Sequence, residues 1–132
     1  VKINLAAETK GTYFPKVLRR DTSFFMLGWT PSTYDSHNTL TSILASPNDK
    51  GQGQFNLGAY SNPKVDELTL KVQSETDQAK RNAMIKEAFE IHMKDVGHIP
   101  LHAQTLAWGM KKPVDAVQLP DNYNYWKWIN VR

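Results

Sequence analysis

The chain has 132 residues, of which 40% are hydrophobic and 22% are charged, and this composition is that of a folded domain with its own core. The 16 Lys and Arg residues are interleaved with 13 Asp and Glu residues, so no single-sign block favours a nucleic-acid-binding stripe. Cysteine is absent from the sequence, which excludes disulfides, thiolate metal sites and cysteine nucleophiles. No apolar run approaches the roughly 20 residues of a membrane helix.

The first thirty residues predict a strand, a helix and a second strand. Residues 1–5 alternate apolar and polar side chains, the pattern of a half-buried strand. A strand at the first residue, without a signal peptide, is expected of a segment of a longer chain. Residues 11–20 place apolar side chains on one face of a short helix, and residues 24–27 are continuously apolar, as in a strand covered on both faces. This order predicts a right-handed βαβ unit with parallel strands.

The middle of the chain predicts a loop followed by a helical hairpin. Residues 46–62 are polar and glycine-bearing, which in a compact domain is typical of a functional or mobile loop. Asn62 is expected to cap a helix that starts at Pro63, and Asp77 a second helix that ends at Gly97. The linker 73–76 is short, so the two helices should be antiparallel. The apolar face of the second helix comprises Ile85, Ala88, Phe89, His92 and Val96.

The residues after the hairpin predict a return of the chain to a sheet. Residues 98–110 resemble one or two strands, with Pro100 restricting part of the segment to a sheet edge or a strand start. Together with the βαβ start, these segments predict an α/β fold with a mixed sheet.

The predicted second strand leads into a candidate ligand site. In parallel α/β sheets, ligands bind beyond the carboxyl ends of the strands, where Gly28 and Trp29 would lie. Trp29 would supply a flat apolar wall with one hydrogen-bond donor, although a tryptophan that simply caps the core explains the pattern equally well. Polar side chains follow it, and those predicted to contact a ligand are Thr30, Ser32, Tyr34 and Asp35. The alternative for Asp35, or for its neighbour Ser36, is to cap a helix over residues 37–45.

The sequence carries no pattern typical of a metal site or of catalysis. His98 and His102 are four residues apart, but Pro100 between them breaks the helix that a zinc-binding pair needs. His92 falls on an apolar helix face and is expected to be a core residue. There is no nucleophile elbow and no phosphate-cradling glycine loop, and no pair of carboxylates stands out. We therefore expect a protein that is not an enzyme and that has no cofactor or metal.

The aromatic residues near the end of the chain allow two interpretations. Tyr123, Tyr125, Trp126 and Trp128, with Lys127, resemble a stacking platform for single-stranded nucleic acid. Alternating aromatics on a strand more commonly pack against a neighbouring layer, and without that layer the rings would form an adhesive patch. We favour packing, with no nucleic-acid partner and with self-association of the chain. A nucleic-acid or other interaction module is the alternative.

Three segments occur in a recognisable order, and they carry a family resemblance. They are FFMLGW with YDSHNTL, then GQGQFNLGAYSNPKVDEL, then TDQAKRNAMIKEAFEIHMKDVGHIPLH. Over nearly all of residues 1–118 the chain resembles the C-terminal part of the extracellular solute-binding proteins of family 5, the peptide and oligopeptide receptors of ABC importers. The most specific positions are Tyr60, Ser61, Asn62, Pro63, Val65, Asp66, Asp77, Arg81 and the segment 99–101.

The resemblance implies an architecture and a function. The chain would be a fragment of a periplasmic-binding-protein type II lobe, with residues 1–112 in the second large lobe and residues 113–132 returning towards the other lobe. The whole receptor would be periplasmic, or lipid-anchored and extracellular. It would capture a peptide or similar small solute and deliver it to the membrane permease of an ABC importer.

The resemblance also bears on the ligand. Peptide-binding members tend to carry an acidic residue three positions after the Gly-Trp tryptophan, where it neutralises the free amino group of the ligand. Ser32 occupies that position here, and a serine hydroxyl can hydrogen-bond an amine without offsetting its charge. Two alternatives follow: Asp35 substitutes from further along the loop, or the ligand is not a simple peptide.

Overall fold

The computed structural model describes residues 2–31 and 33–132, and the chain is mostly helical over these residues. The elements, in chain order, are α1 (Lys10–Leu18), α2 (Ser36–Thr39) with a π-helical segment (Leu40–Leu44) directly after it, α3 (Pro63–Ser74), α4 (Gln78–Lys94), β1 (Val114–Asp115), a 3-10 turn (Trp126–Trp128) and β2 (Asn130–Val131). None of the helices in the described part of the chain is both long enough and apolar enough to cross a membrane.

The predicted helical hairpin is confirmed, together with both of its caps. The side chain of Asn62 accepts hydrogen bonds from the Lys64 and Val65 amides at the start of α3, where Pro63 is the first helical residue. Asp77 accepts from the Lys80 amide at the start of α4. These bonds satisfy amide groups that have no partner within a helix.

The two helices of the hairpin are antiparallel, because the start of α3 lies beside the end of α4. Asn62 Nδ2 and Tyr60 Oη each donate to Asp95 Oδ2 at 2.7 Å. The second helix ends earlier than predicted, at Lys94 rather than Gly97. Val96 adopts a left-handed conformation, with φ of 53°, which turns the chain away from the helix. Val96 is therefore exposed, and its predicted place on the apolar face of α4 is wrong.

The core lies between the π-helical segment and the hairpin. Its buried members are Leu40, Ile43, Leu44, Val65, Leu68 and Ala88, and the partly buried side chains packed on them are Leu27, Trp29, Tyr60, Met84, Ile85, Phe89 and Ile91. Burying such side chains stabilises a fold by about 1.5–3 kcal/mol each. The hairpin and the segment after Trp29 thus share one core.

The predicted βαβ start is wrong, although its helix is present as α1. Val1 lies outside the described residues, and residues 2–5 and 24–27 form no strand. Ile3, Leu5 and Phe24 are exposed. Instead of a neighbouring strand, the Tyr13 hydroxyl accepts from the Met26 amide at 3.0 Å and donates to its carbonyl at 2.6 Å. An alternating or apolar segment becomes a strand only when another backbone pairs with it, and the described residues provide no such partner here.

The predicted return strands over residues 98–110 are also wrong, since the structure shows no strand there. The strands that do form are two residues long and antiparallel, with Val114 opposite Val131 and Asp115 opposite Asn130. The fold is therefore a helical unit with one short ladder, and the mixed sheet of the α/β prediction is absent from the described residues. The boundary between residues 112 and 113 stays a prediction.

Candidate ligand site

Trp29 lies at the edge of the core rather than deep within it. The indole is partly buried against the core cluster. Its Nε1 donates to Asn38 Oδ1 at 3.1 Å, and its ring lies 5.0 Å from the Phe55 ring, tilted by 45°. Phe55 itself is 42% exposed. The two rings therefore form a partly open aromatic surface, held in place by one hydrogen bond and by packing.

The loop that follows Trp29, residues 30–35, ends in a capped helix. Asp35 Oδ1 accepts from the His37 amide at 2.8 Å, so Asp35 is the N-cap of α2. This confirms the helix-capping prediction. The structure also shows a partner that the sequence did not indicate, because Arg81 of α4 donates to both oxygens of the carboxylate. The His37 amide and then Arg81 hold the pKa of Asp35 below its ordinary value.

Of the other residues predicted to contact a ligand, the structure describes two. Thr30 and Tyr34 are exposed, whereas Ser32 lies outside the described residues. Tyr34 has a φ of 55°, a left-handed conformation that is uncommon for a bulky residue. Desolvation and then the nearby Asp121 carboxylate raise the pKa of Tyr34. Tyr34 is therefore an exposed side chain whose pKa is influenced by a carboxylate of the C-terminal part of the chain.

Helix α2 is fixed to α3 by a histidine that the sequence did not single out. His37 Nε2 lies 3.1 Å from the Thr69 carbonyl oxygen and 3.2 Å from Thr41 Oγ1. Because Asn38, the partner of Trp29, belongs to the same short helix, these contacts also fix the indole. No local sequence pattern predicts them, since Thr69 is 32 residues from His37.

Hydrogen bonds of a buried side chain hold the loop at residues 46–62 in place. The buried Asn56 side chain donates to the carbonyls of Ala45 and Tyr60 and accepts from the Tyr60 amide. Gly53 has a φ of 64°, and a Cβ there would lie 2.5 Å from the Ala45 carbonyl oxygen. This loop carries Phe55, so its hydrogen bonds also support the aromatic surface at Trp29.

A pair of histidines closes the far end of the hairpin. His92 is buried, as predicted, and its Nε2 lies 3.0 Å from His98 Nδ1. Tyr60 packs edge-on against the His92 ring, at 4.5 Å between centroids. Burial and then His98 lower the pKa of His92 to about 4, and burial lowers the pKa of His98. In the described part of the chain, no group of three or more His, Cys, Asp or Glu residues is arranged to hold a metal ion.

Of the C-terminal aromatic residues, Trp126 and Trp128 lie in a 3-10 turn rather than on a strand. Trp126 is 79% exposed. The Tyr125 and Trp128 rings lie 5.1 Å apart, and Lys127 Nζ lies 5.0 Å from the Trp128 ring centre. A strand would place alternating rings on one face, whereas in this 3-10 turn Trp126 is more exposed than its aromatic neighbours Tyr125 and Trp128.

Two open concavities lie elsewhere in the described residues, and neither is lined by Trp29 or by the loop after it. One, of about 430 Å³, lies by the short ladder, and its lining includes Trp108, Met110, Val114 and Ile129. The other, of about 240 Å³, is lined in part by Leu18, Arg20, Gln52 and Asn56.

Comparison with known proteins finds a similarity to an oligopeptide-binding protein. The chain is 26% identical over 120 residues to the oligopeptide-binding protein OppA of Bacillus subtilis. The alignment covers 91% of this chain and 21% of OppA, so the chain spans about a fifth of the length of that relative. The predicted resemblance to a part of a peptide-binding receptor is confirmed by this similarity. No protein-family model matches the chain, and no solved structure gives a significant match.

Proposed function

We propose that the chain is part of a solute receptor that captures a peptide or similar small molecule and delivers it to the permease of an ABC importer. The observation that carries this proposal is the similarity, over 91% of the chain, to a protein named for oligopeptide binding. Such a receptor acts outside the cytoplasmic membrane, in the periplasm or as a lipid-anchored extracellular protein. It performs no chemistry on its ligand.

The proposed ligand surface comprises Trp29 and the polar residues Thr30, Ser32 and Tyr34. Two features support it. The indole of Trp29 is fixed at the edge of the core by Asn38, which makes it a preorganised wall. The Tyr34 side chain is 62% exposed on a backbone in the left-handed region, and such conformations are concentrated at functional sites.

Isothermal titration calorimetry of the purified protein with a mixture of di- to pentapeptides tests the proposal. We expect saturable binding that weakens at least about tenfold in Trp29→Ala, because a buried aromatic anchor commonly contributes 2 kcal/mol or more. Trp126→Ala is the matched control and should bind as the wild type does. The proposal would be contradicted if the peptide mixture gave no heat of binding, or if Trp29→Ala and Trp126→Ala lost the same affinity.

One observation favours the alternative of an interaction module. Trp126 is 79% exposed, and Lys127 lies beside it in the same turn. If this turn stacks on single-stranded nucleic acid, the protein should bind an oligothymidylate, and the affinity should fall steeply between 50 and 200 mM salt. A salt-independent result, or no binding, would leave the solute receptor as the function.

A further inference from the structure

We propose that Arg81 positions the 30–35 loop and neutralises its carboxylate, so that the loop receives an uncharged part of the solute. This inference rests on the proposed function and adds to it the chemical class of the group bound at this loop. It assigns Asp35 to the support of the site, not to contact with a cationic ligand.

The geometry of the Asp35 carboxylate leaves little capacity for another cation. Arg81 Nη2 lies 3.0 Å from Oδ1 and 2.8 Å from Oδ2. Oδ1 also accepts from the His37 amide. The Arg81 side chain is only 19% exposed, compared with 41% for Asp35. The guanidinium therefore covers the carboxylate from the side of α4, and it is fixed by the first turn of that helix.

The charge of the loop follows from this pairing. Asp35 is the only carboxylate among residues 29–35, and with Arg81 beside it the pair has no net charge. A ligand ammonium group would have to displace Arg81 or lie beside it, where the two cations repel each other. Amides and hydroxyls meet no such penalty, and Thr30 and Tyr34 offer them hydrogen-bonding groups.

The second carboxylate that acts on this region is Asp121, whose charge acts on Tyr34. Asp121 accepts from the Tyr123 amide at 3.0 Å and from the Tyr125 hydroxyl at 2.7 Å. Both donors are neutral, so its charge is not cancelled as that of Asp35 is. An Asp121→Asn variant is therefore needed to separate the two carboxylates.

Arg81 also positions the aromatic wall. Asp35 caps α2, and α2 contains Asn38, which accepts from the Trp29 indole. Losing Arg81 therefore loosens the cap and changes the environment of the Trp29 Nε1–H. This effect needs no ligand and so can be measured independently of the proposed function.

The first experiment compares two probes by calorimetry. Trialanine has a positively charged free amino group, whereas N-acetyl-trialanine has a neutral amide in its place. We expect the wild type to bind them within about threefold of each other. Arg81→Gln should favour the free amine by about tenfold, because a charge-assisted hydrogen bond is roughly twice as strong as a neutral one. The double variant Arg81→Gln/Asp35→Asn should lose that preference. Lys80→Gln, with the same charge change one residue away, should behave as the wild type.

A preference of the wild type for the free amine would contradict the inference. A wild type that prefers the free amine by tenfold or more, with the preference lost in Asp35→Asn, would overturn the inference and leave the proposed function intact. The same preference lost in Asp121→Asn would also overturn it, since the solute amine would then be bound at Asp121.

The second experiment measures the chemical shift of the Trp29 indole Nε1–H by NMR. This resonance is assigned as the one that disappears in Trp29→Phe. We expect it to shift in Arg81→Gln, to return in the conservative variant Arg81→Lys and to be unchanged in Lys80→Gln. If neither probe binds to any variant but the indole responds in this way, the proposed function fails for short peptides while the positioning role of Arg81 holds. An indole resonance that Arg81→Gln leaves unmoved would overturn that role.

Discussion

Acidification should destabilise the protein through the buried His92. This imidazole is 2% exposed, and its Nδ1 has no hydrogen-bond partner among the described residues. Its Nε2 is paired with His98. The groups that face it are the Tyr60 ring, the His98 ring and the more distant Asp95 carboxylate, and only Asp95 favours the charged form. Burial dominates, so the folded protein keeps His92 neutral.

The size and sign of the effect follow from the pKa of His92, which is about 4 when folded and 6.5 as the ordinary value. Because the folded pKa is lower, the unfolded chain binds the proton first as the pH falls below 6.5. Stability is therefore complete above that value and is lost as the pH falls towards 4. Between pH 7 and pH 5 the loss attributable to His92 is about 2 kcal/mol.

Urea unfolding at pH 7, 6 and 5 measures this loss. In His92→Gln the fall in the free energy of unfolding between pH 7 and pH 5 should be smaller than in the wild type by about 2 kcal/mol. Carboxylates that titrate at lower pH are common to both proteins and cancel in the comparison. His102→Gln, which removes an exposed histidine, should keep the wild-type pH dependence. If the free energy of unfolding fell equally with pH in the wild type and in His92→Gln, His92 would not be the cause of the loss.

Three further variants test the packing of the hairpin and its loop by urea or thermal unfolding. Gly97→Ala places a Cβ 2.7 Å from Tyr60 Cδ2 and should cost about 1–3 kcal/mol, whereas Gly58→Ala, with nothing within 4 Å, should cost less; equal costs would contradict the steric argument. Asn56→Ala leaves two carbonyls and one amide without their partner and should cost about 2–3 kcal/mol, so a loss below 1 kcal/mol would show that water replaces these bonds. Asn62→Ala removes the cap of α3 and should cost about 1 kcal/mol. Asn62→Ser, which keeps a capping oxygen without placing a second carboxylate beside Asp95, should restore part of it, and a neutral Asn62→Ala would contradict the capping role.

The hairpin could be predicted from the sequence because its signals are local. A cap residue, a proline at the first helical position and an apolar face at helical spacing all lie within one segment. Asn62 and Asp77 do in the structure what those signals indicate. The end of α4 was less predictable, because the left-handed residue is Val96 and not the adjacent glycine. Gly97 is instead required by the close approach of His92 and Tyr60.

The strands could not be predicted in the same way because a strand depends on a partner. The alternation at the start of the chain and the apolar segment before Gly28 describe side chains, whereas a ladder needs a second backbone at about 4.8 Å. In the described residues the Tyr13 side chain bonds the backbone of Met26 instead. Short apolar segments are therefore weak predictors of strands.

Local features of the candidate site could be predicted from the sequence, but its long-range contacts could not. The sequence placed Trp29 next to a polar loop and offered Asp35 as either a ligand contact or a cap. It did not indicate that Arg81 pairs with Asp35, from which it is 46 residues away, nor that His98 pairs with His92. Such contacts are set by how α4 packs beside the loop, and no periodicity within one segment encodes them.

Trp29 is proposed to form part of a surface that binds a solute. The most direct measurement follows the indole Nε1–H resonances of Trp29 and Trp126 while trialanine or its N-acetylated form is titrated into the purified protein. We expect a saturable shift of the Trp29 resonance with no change at Trp126. A shift at Trp126 alone, or binding measured by calorimetry that leaves the Trp29 resonance unmoved, would contradict it.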